Sequence, residues 1–143
     1  MQKVRLADLP LFAKEVLARL AVKNSATVVA LRGDLGAGKT TFTQALAREL
    51  GITATVQSPT YILMRSYKIS NNKFQRLIHI DAYRLENPEE FSALKPEQFL
   101  QDPKNLVVVE WPEKVAGALP PADLTINFSS DGAKEGERYI EVI

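Results

Sequence analysis

The chain has 143 residues, 45% of them hydrophobic, and a formal charge of +1 from 18 basic and 17 acidic side chains. That is the composition of a globular chain of single-domain size, and it excludes disorder and any global attraction to nucleic acid or membrane. The absence of cysteine removes disulfides, thiol nucleophiles and thiolate zinc sites, and a single histidine, His79, removes zinc sites that need two.

In chain order, residues 1–5 carry two cations, but the apolar run of an export signal does not follow, because Asp8, Lys14 and Glu15 interrupt it. No apolar run is long enough for a bilayer, so a cytoplasmic chain is expected. Leu9, Phe12, Val16 and Leu20 recur at helical spacing, with Asp8 as N-cap and Pro10 in the first turn. Residues 26–31 (ATVVAL) form a continuous apolar run, which predicts a strand buried on both faces. A helix over 39–50 follows, capped by Gly51. Residues 61–69 and 74–80 are strand-like, joined by a hairpin turn at Ser70-Asn71-Asn72-Lys73. Residues 88–100 are helical from Asn87 as N-cap, with a break or kink at Pro96. A buried strand at 106–109, a loop at Pro120-Pro121 and closing strands at 124–128 and 138–143 complete the chain. With no repeat and no linker, residues 1–143 are read as one domain. It is a three-layer α/β sandwich with a mixed parallel and antiparallel sheet.

The segment Gly33-Asp34-Leu35-Gly36-Ala37-Gly38-Lys39-Thr40-Thr41 matches G-x-x-x-x-G-K-[ST] in full. A random chain of this length matches roughly once in two hundred, and here the motif follows a buried strand and opens a helix. Its glycines let backbone N–H groups approach phosphate oxygens, and the helix adds the positive end of its dipole. Lys39 is placed to reach the β and γ phosphates and Thr40 to ligate Mg²⁺. A plain glycine turn needs neither. The N-K-x-D signature of GTPases fails at Asn72-Lys73-Phe74-Gln75, where the required Asp is Gln75. ATP is the expected nucleotide.

Other acids stand at strand ends. Glu110 closes the run 106–109 in the manner of a Walker B element and is a candidate second Mg²⁺ ligand. Asp81 closes the strand before it, where it could orient water or hold a metal-bound water. Arg84 could neutralise phosphate or form an ion pair. His79 alternates with Asp81 and so shares its face, but a lone histidine is read first as a hydrogen-bonded core residue. Thr60, in Ser58-Pro59-Thr60-Tyr61, is a candidate switch residue. Trp111 is either core or a surface beside the nucleotide.

Together, GDLGAGKTT at 33–41, SPTY at 58–61, HIDAYRL at 79–85 and VVEWPE at 108–113 resemble the bacterial TsaE (YjeE) family, in order and separation, over residues 8–143. ENPEEF at 86–91 fits as well. The resemblance implies a P-loop ATPase that serves the threonylcarbamoyl modification of adenosine 37 in tRNAs reading codons that begin with A. It implies docking on the TsaB–TsaD heterodimer, in which TsaD transfers the group, with tRNA reached indirectly through the complex. A monomer is expected when the chain is alone, and with no arginine finger or lid evident in the sequence it is expected to hydrolyse ATP slowly until a partner completes the site. By similarity Lys39 and the loop hold phosphates, Thr40 and Glu110 hold Mg²⁺, Asp81 is the candidate for water activation, and Trp111 for a nearby functional surface. Tyr83 and Trp111, each in a motif near a strand end, are the aromatics expected at or beside the partner interface. Arg138 comes from a variable C-terminal region. The chain departs from the family at Asp8-Leu9-Pro10-Leu11, where members often place a Thr near the base. Two other readings compete. A small-molecule kinase needs an arginine-bearing lid, and residues 84–104 carry only Arg84. A nucleotide-gated binding module would hydrolyse ATP incidentally.

Overall fold

Apolar, β-branched runs build the middle of one sheet in a computed structural model that describes residues 2–34, 36–52, 63–69 and 73–143. The elements are β1 (Gln2–Arg5), α1 (Leu9–Arg19), β2 (Thr27–Arg32), α2 (Lys39–Glu49), β3 (Met64–Lys68), β4 (Arg76–Asp81), α3 (Pro88–Ser92), α4 (Pro96–Leu100), β5 (Asn105–Glu110), β6 (Leu124–Ser129) and β7 (Glu137–Val142). Short 3-10 turns lie at Leu6–Asp8 and Pro112–Val115. The strand order is β1-β7-β6-β2-β5-β4-β3. β6, β2, β5 and β4 run parallel, while β1, β7 and β3 pair antiparallel at the flanks. This is the mixed sheet expected.

Alternation along the central strands feeds two cores and makes three layers. Val29 and Leu31 of β2, with Leu106 and Val108 of β5, pack under α1 and α2. Val28, Val107 and Val109 face the other way, toward Phe91, Phe99 and Val115. Phe42 of α2 is fully buried with its ring 5.6 Å from Phe12 and 5.7 Å from Phe128. Each such side chain removed from water contributes about 1.5–3 kcal/mol. Lys73 Nζ donates to the Leu17 and Leu20 carbonyls and closes the end of α1.

Several local expectations change. β1 is not signalled by the sequence, because only Val4 of its four residues is buried. Asp8 stands before α1 but makes no capping hydrogen bond. The 3-10 turn leaves it at φ −97°, ψ 2°, away from the extended cap conformation, and Pro10 offers no N–H to accept from. Pro96 does divide the 88–100 helix, and Asn87 Oδ1 accepts from Glu90 N at 3.2 Å. The strand read at 74–80 runs instead to Asp81. β3 and β4 pair antiparallel as a hairpin requires, but turn residues 70–72 and strand residues 61 and 62 lie outside the described residues. Among those described, no helix is long and apolar enough to cross a membrane. Because β2, β4 and β5 are parallel, their C-terminal ends share one edge, with Glu110 in register between Leu31 and Asp81.

Candidate functional site

At that edge the chain leaves β2 through the glycine-rich loop. Gly33 has φ 143°, and a Cβ there would meet the Phe128 carbonyl oxygen at 2.5 Å, so only glycine lets the loop pass β6. Gly38, at φ 108°, precedes α2 and has no side chain to cap it, an arrangement in which a helix N-terminus accepts an anion. From β7, Arg138 donates through Nε and Nη2 to the Gly36 carbonyl at 3.3 and 3.1 Å, bracing the loop.

Lys39 opens α2 and folds back, its Nζ donating to the Gly33 carbonyl and lying 3.9 Å from the centroid of the Trp111 ring. Burial pulls the lysine below its usual pKa, opposed by the charges of Glu110, Asp81, Glu113 and Asp34. Thr40 Oγ1 donates toward both Glu110 oxygens, at 3.2 and 3.3 Å. His79 Nε2 is 2.6 Å from Glu110 Oε2, with both side chains buried. Asp81 Oδ1 accepts from the Tyr83 amide at 3.0 Å. Trp111 takes the left-handed conformation, φ 59°, and its backbone N–H donates to the Leu31 carbonyl at 3.3 Å. That turn lays its ring 5.1 Å from Tyr83.

Most of these groups line one cleft of about 430 Å³. It gathers Gly36, Gly38, Lys39, Thr40 and Thr41 from the loop and α2, and Asp81, Tyr83, Arg84, Glu110 and Trp111 from the strand ends. Leu6 and Arg138 complete the wall. Of the remaining loop residues, Ala37 is buried in the core, Gly33 gives its carbonyl to Lys39, and the Asp34 carbonyl accepts from Ala37 N. Leu35 and Thr60 lie outside the described residues. His79 is buried and hydrogen-bonded, as a core histidine is, but its partner is an acid of the cleft. Leu6 carries no motif; only the pairing of β1 with β7 brings it there. The hydroxyl of Thr40 and the carboxylate of Glu110 are adjacent hard oxygen donors, chemistry that suits Mg²⁺.

The family model "Threonylcarbamoyl adenosine biosynthesis protein TsaE" matches residues 7–140. The tRNA threonylcarbamoyladenosine biosynthesis protein TsaE of Haemophilus influenzae is 38% identical over 114 residues, 80% of this chain and 69% of its own length. Its namesake in Treponema pallidum is 37% identical over 122 residues, 84% of this chain and 85% of its own. Against the relatives from Synechocystis and Bacillus subtilis the match spans less than two thirds of their length, 56% and 66%. A crystal structure of Bacillus subtilis YdiB superposes with a TM-score of 0.70 at 30% identity, covering 97% of this chain and 80% of that one.

Proposed function

The chain belongs to the TsaE family of threonylcarbamoyl adenosine biosynthesis proteins, and from that premise we propose that it binds and hydrolyses Mg-ATP in support of the threonylcarbamoyl modification of tRNA. The observation that carries this reading is the convergence of Lys39, Thr40, Asp81 and Glu110 on one cleft at the mouth of a glycine-rich loop. Lys39 exchanges the Gly33 carbonyl for phosphate oxygens, and the start of α2 adds its dipole. Thr40 and Glu110 hold Mg²⁺, which when bound neutralises charge on the phosphates. Asp81, fixed by the Tyr83 amide, orients the attacking water. Arg138 keeps the loop in its open turn by holding Gly36.

Tyr83 and Trp111 pack as a tilted ring pair beside the phosphate end, where a docking partner would enclose it. In this reading TsaB–TsaD is that partner, hydrolysis by the chain alone is slow, and docking accelerates it. The test is reconstitution with TsaB and TsaD, assaying modified tRNA over several turnovers. Sustained modification should require both this chain and ATP. Equal yields with and without the chain would overturn the role.

A further inference from the structure

We propose that His79 is a positioning residue that fixes the Glu110 carboxylate for its metal, an inference that rests on the Mg-ATP reading. His79 stands on β4 two residues before Asp81 and is fully buried. Its Nε2 lies 2.6 Å from Glu110 Oε2, and its Nδ1 is buried without a hydrogen-bond partner among the described residues. The imidazole therefore has one polar connection there, and it is Glu110. An apolar residue would fill the space and leave no orphaned nitrogen, so packing alone gives no reason for histidine. Facing a carboxylate, which accepts, the proton belongs on Nε2.

Glu110 is also reached by Thr40, whose single hydroxyl proton points toward its two oxygens. That one proton serves two carboxylate oxygens, even while a lone pair of the same hydroxyl faces a cation. His79 supplies the second donor, holding the carboxylate through Oε2 while its remaining lone pairs stay open to a cation. Hydrogen-bond partners behind a ligand commonly set metal affinity by 10- to 100-fold.

The experiment is ATP titration by calorimetry, with Mg²⁺ and with EDTA, on wild type, His79→Leu and His79→Gln, with melting curves on each. In His79→Leu the affinity in EDTA should stay within about twofold of wild type, while the gain brought by Mg²⁺ should fall about tenfold or more. His79→Gln, which retains an N–H donor of similar reach, should restore most of that gain. A full Mg²⁺ gain in a folded His79→Leu protein overturns the proposal, as does a Gln variant no better than Leu. If wild type shows no Mg²⁺ gain at all, the Mg-ATP reading fails first and His79's role falls with it. Should the Leu variant not fold, long-range ¹H–¹⁵N spectra of the wild-type imidazole decide: a proton on Nε2 sustains the proposal, and a bare Nε2 overturns it.

Discussion

The two ends of the parallel strands both bury polar side chains but keep them in opposite ways. At the N-terminal ends, Thr27 Oγ1 donates to the Ala21 carbonyl at 3.2 Å and Asn105 Nδ2 to the Phe99 carbonyl at 3.0 Å. These are neutral side chains meeting backbone carbonyls, which is structural work. At the C-terminal ends the buried groups are Lys39, His79, Asp81 and Glu110, all ionisable. Such groups are expensive to desolvate, and apolar residues of similar size often serve stability as well or better. A fold has no stability motive for collecting four of them at one edge; a functional site, as proposed, does. The end that ties α4 to β5 should therefore govern folding, and the end that holds the glycine-rich loop should govern function.

The sharpest break in that contrast is Lys39→Ala. Losing one charge opposite the transferred phosphate typically costs about 3 kcal/mol, so ATP hydrolysis should fall about 10²-fold while the melting temperature barely moves. A steady-state assay beside a melting curve checks both halves. Next in size is Trp111→Ala. With its ring tilted against Tyr83 at the rim, it should lose about 2 kcal/mol of TsaB–TsaD binding, a fall of some 30-fold by calorimetry. Nucleotide affinity should stay within a few fold; normal partner binding by the variant would move the docking surface elsewhere.

Asn105→Ala, at the opposite end, should reverse the pattern. It strands the Phe99 carbonyl in the core and should destabilise the fold by about 1–3 kcal/mol, seen in chemical denaturation, with no change in ATP affinity at a temperature where it is folded. The smallest effect is a pH dependence. Burial sets Lys39 below the ordinary lysine value of 10.5, whereas bound phosphate favours its charged form. ATP affinity should thus be level at neutral pH and weaken as pH rises through the lowered value, earlier than an exposed lysine would dictate. Over the same interval the unfolded chain holds the proton more tightly, so fold stability should rise with pH. Lys39→Arg, permanently charged, should lose the alkaline weakening.

What the sequence disclosed follows from range. The buried runs, the Pro96 break, the Asn87 cap and the glycine-rich loop are written in neighbouring residues, and each is where local chemistry puts it. β1 escapes because one buried residue in four makes no period. The Asp8 cap fails because the preceding turn, not the side chain, sets the entry to α1. Arg138 reaches Gly36 across 102 positions, and His79 reaches Glu110 only because β4 and β5 lie in parallel register around α3 and α4. The left-handed turn at Trp111 has no sequence signature, since a non-glycine residue held at φ 59° is fixed by its surroundings. The motif residues were legible; their mutual contacts depend on topology.

The most direct measurement of the division between the two strand ends is titration of ATP, with and without Mg²⁺, into wild type, Glu110→Gln and Asn105→Ala, all verified as folded. Wild type and Asn105→Ala should gain affinity from Mg²⁺ alike. Glu110→Gln keeps the size but loses the charge a hard cation requires, so it should bind metal-free ATP normally and forfeit most of the gain. A Glu110→Gln protein that retains the full Mg²⁺ gain would contradict the account.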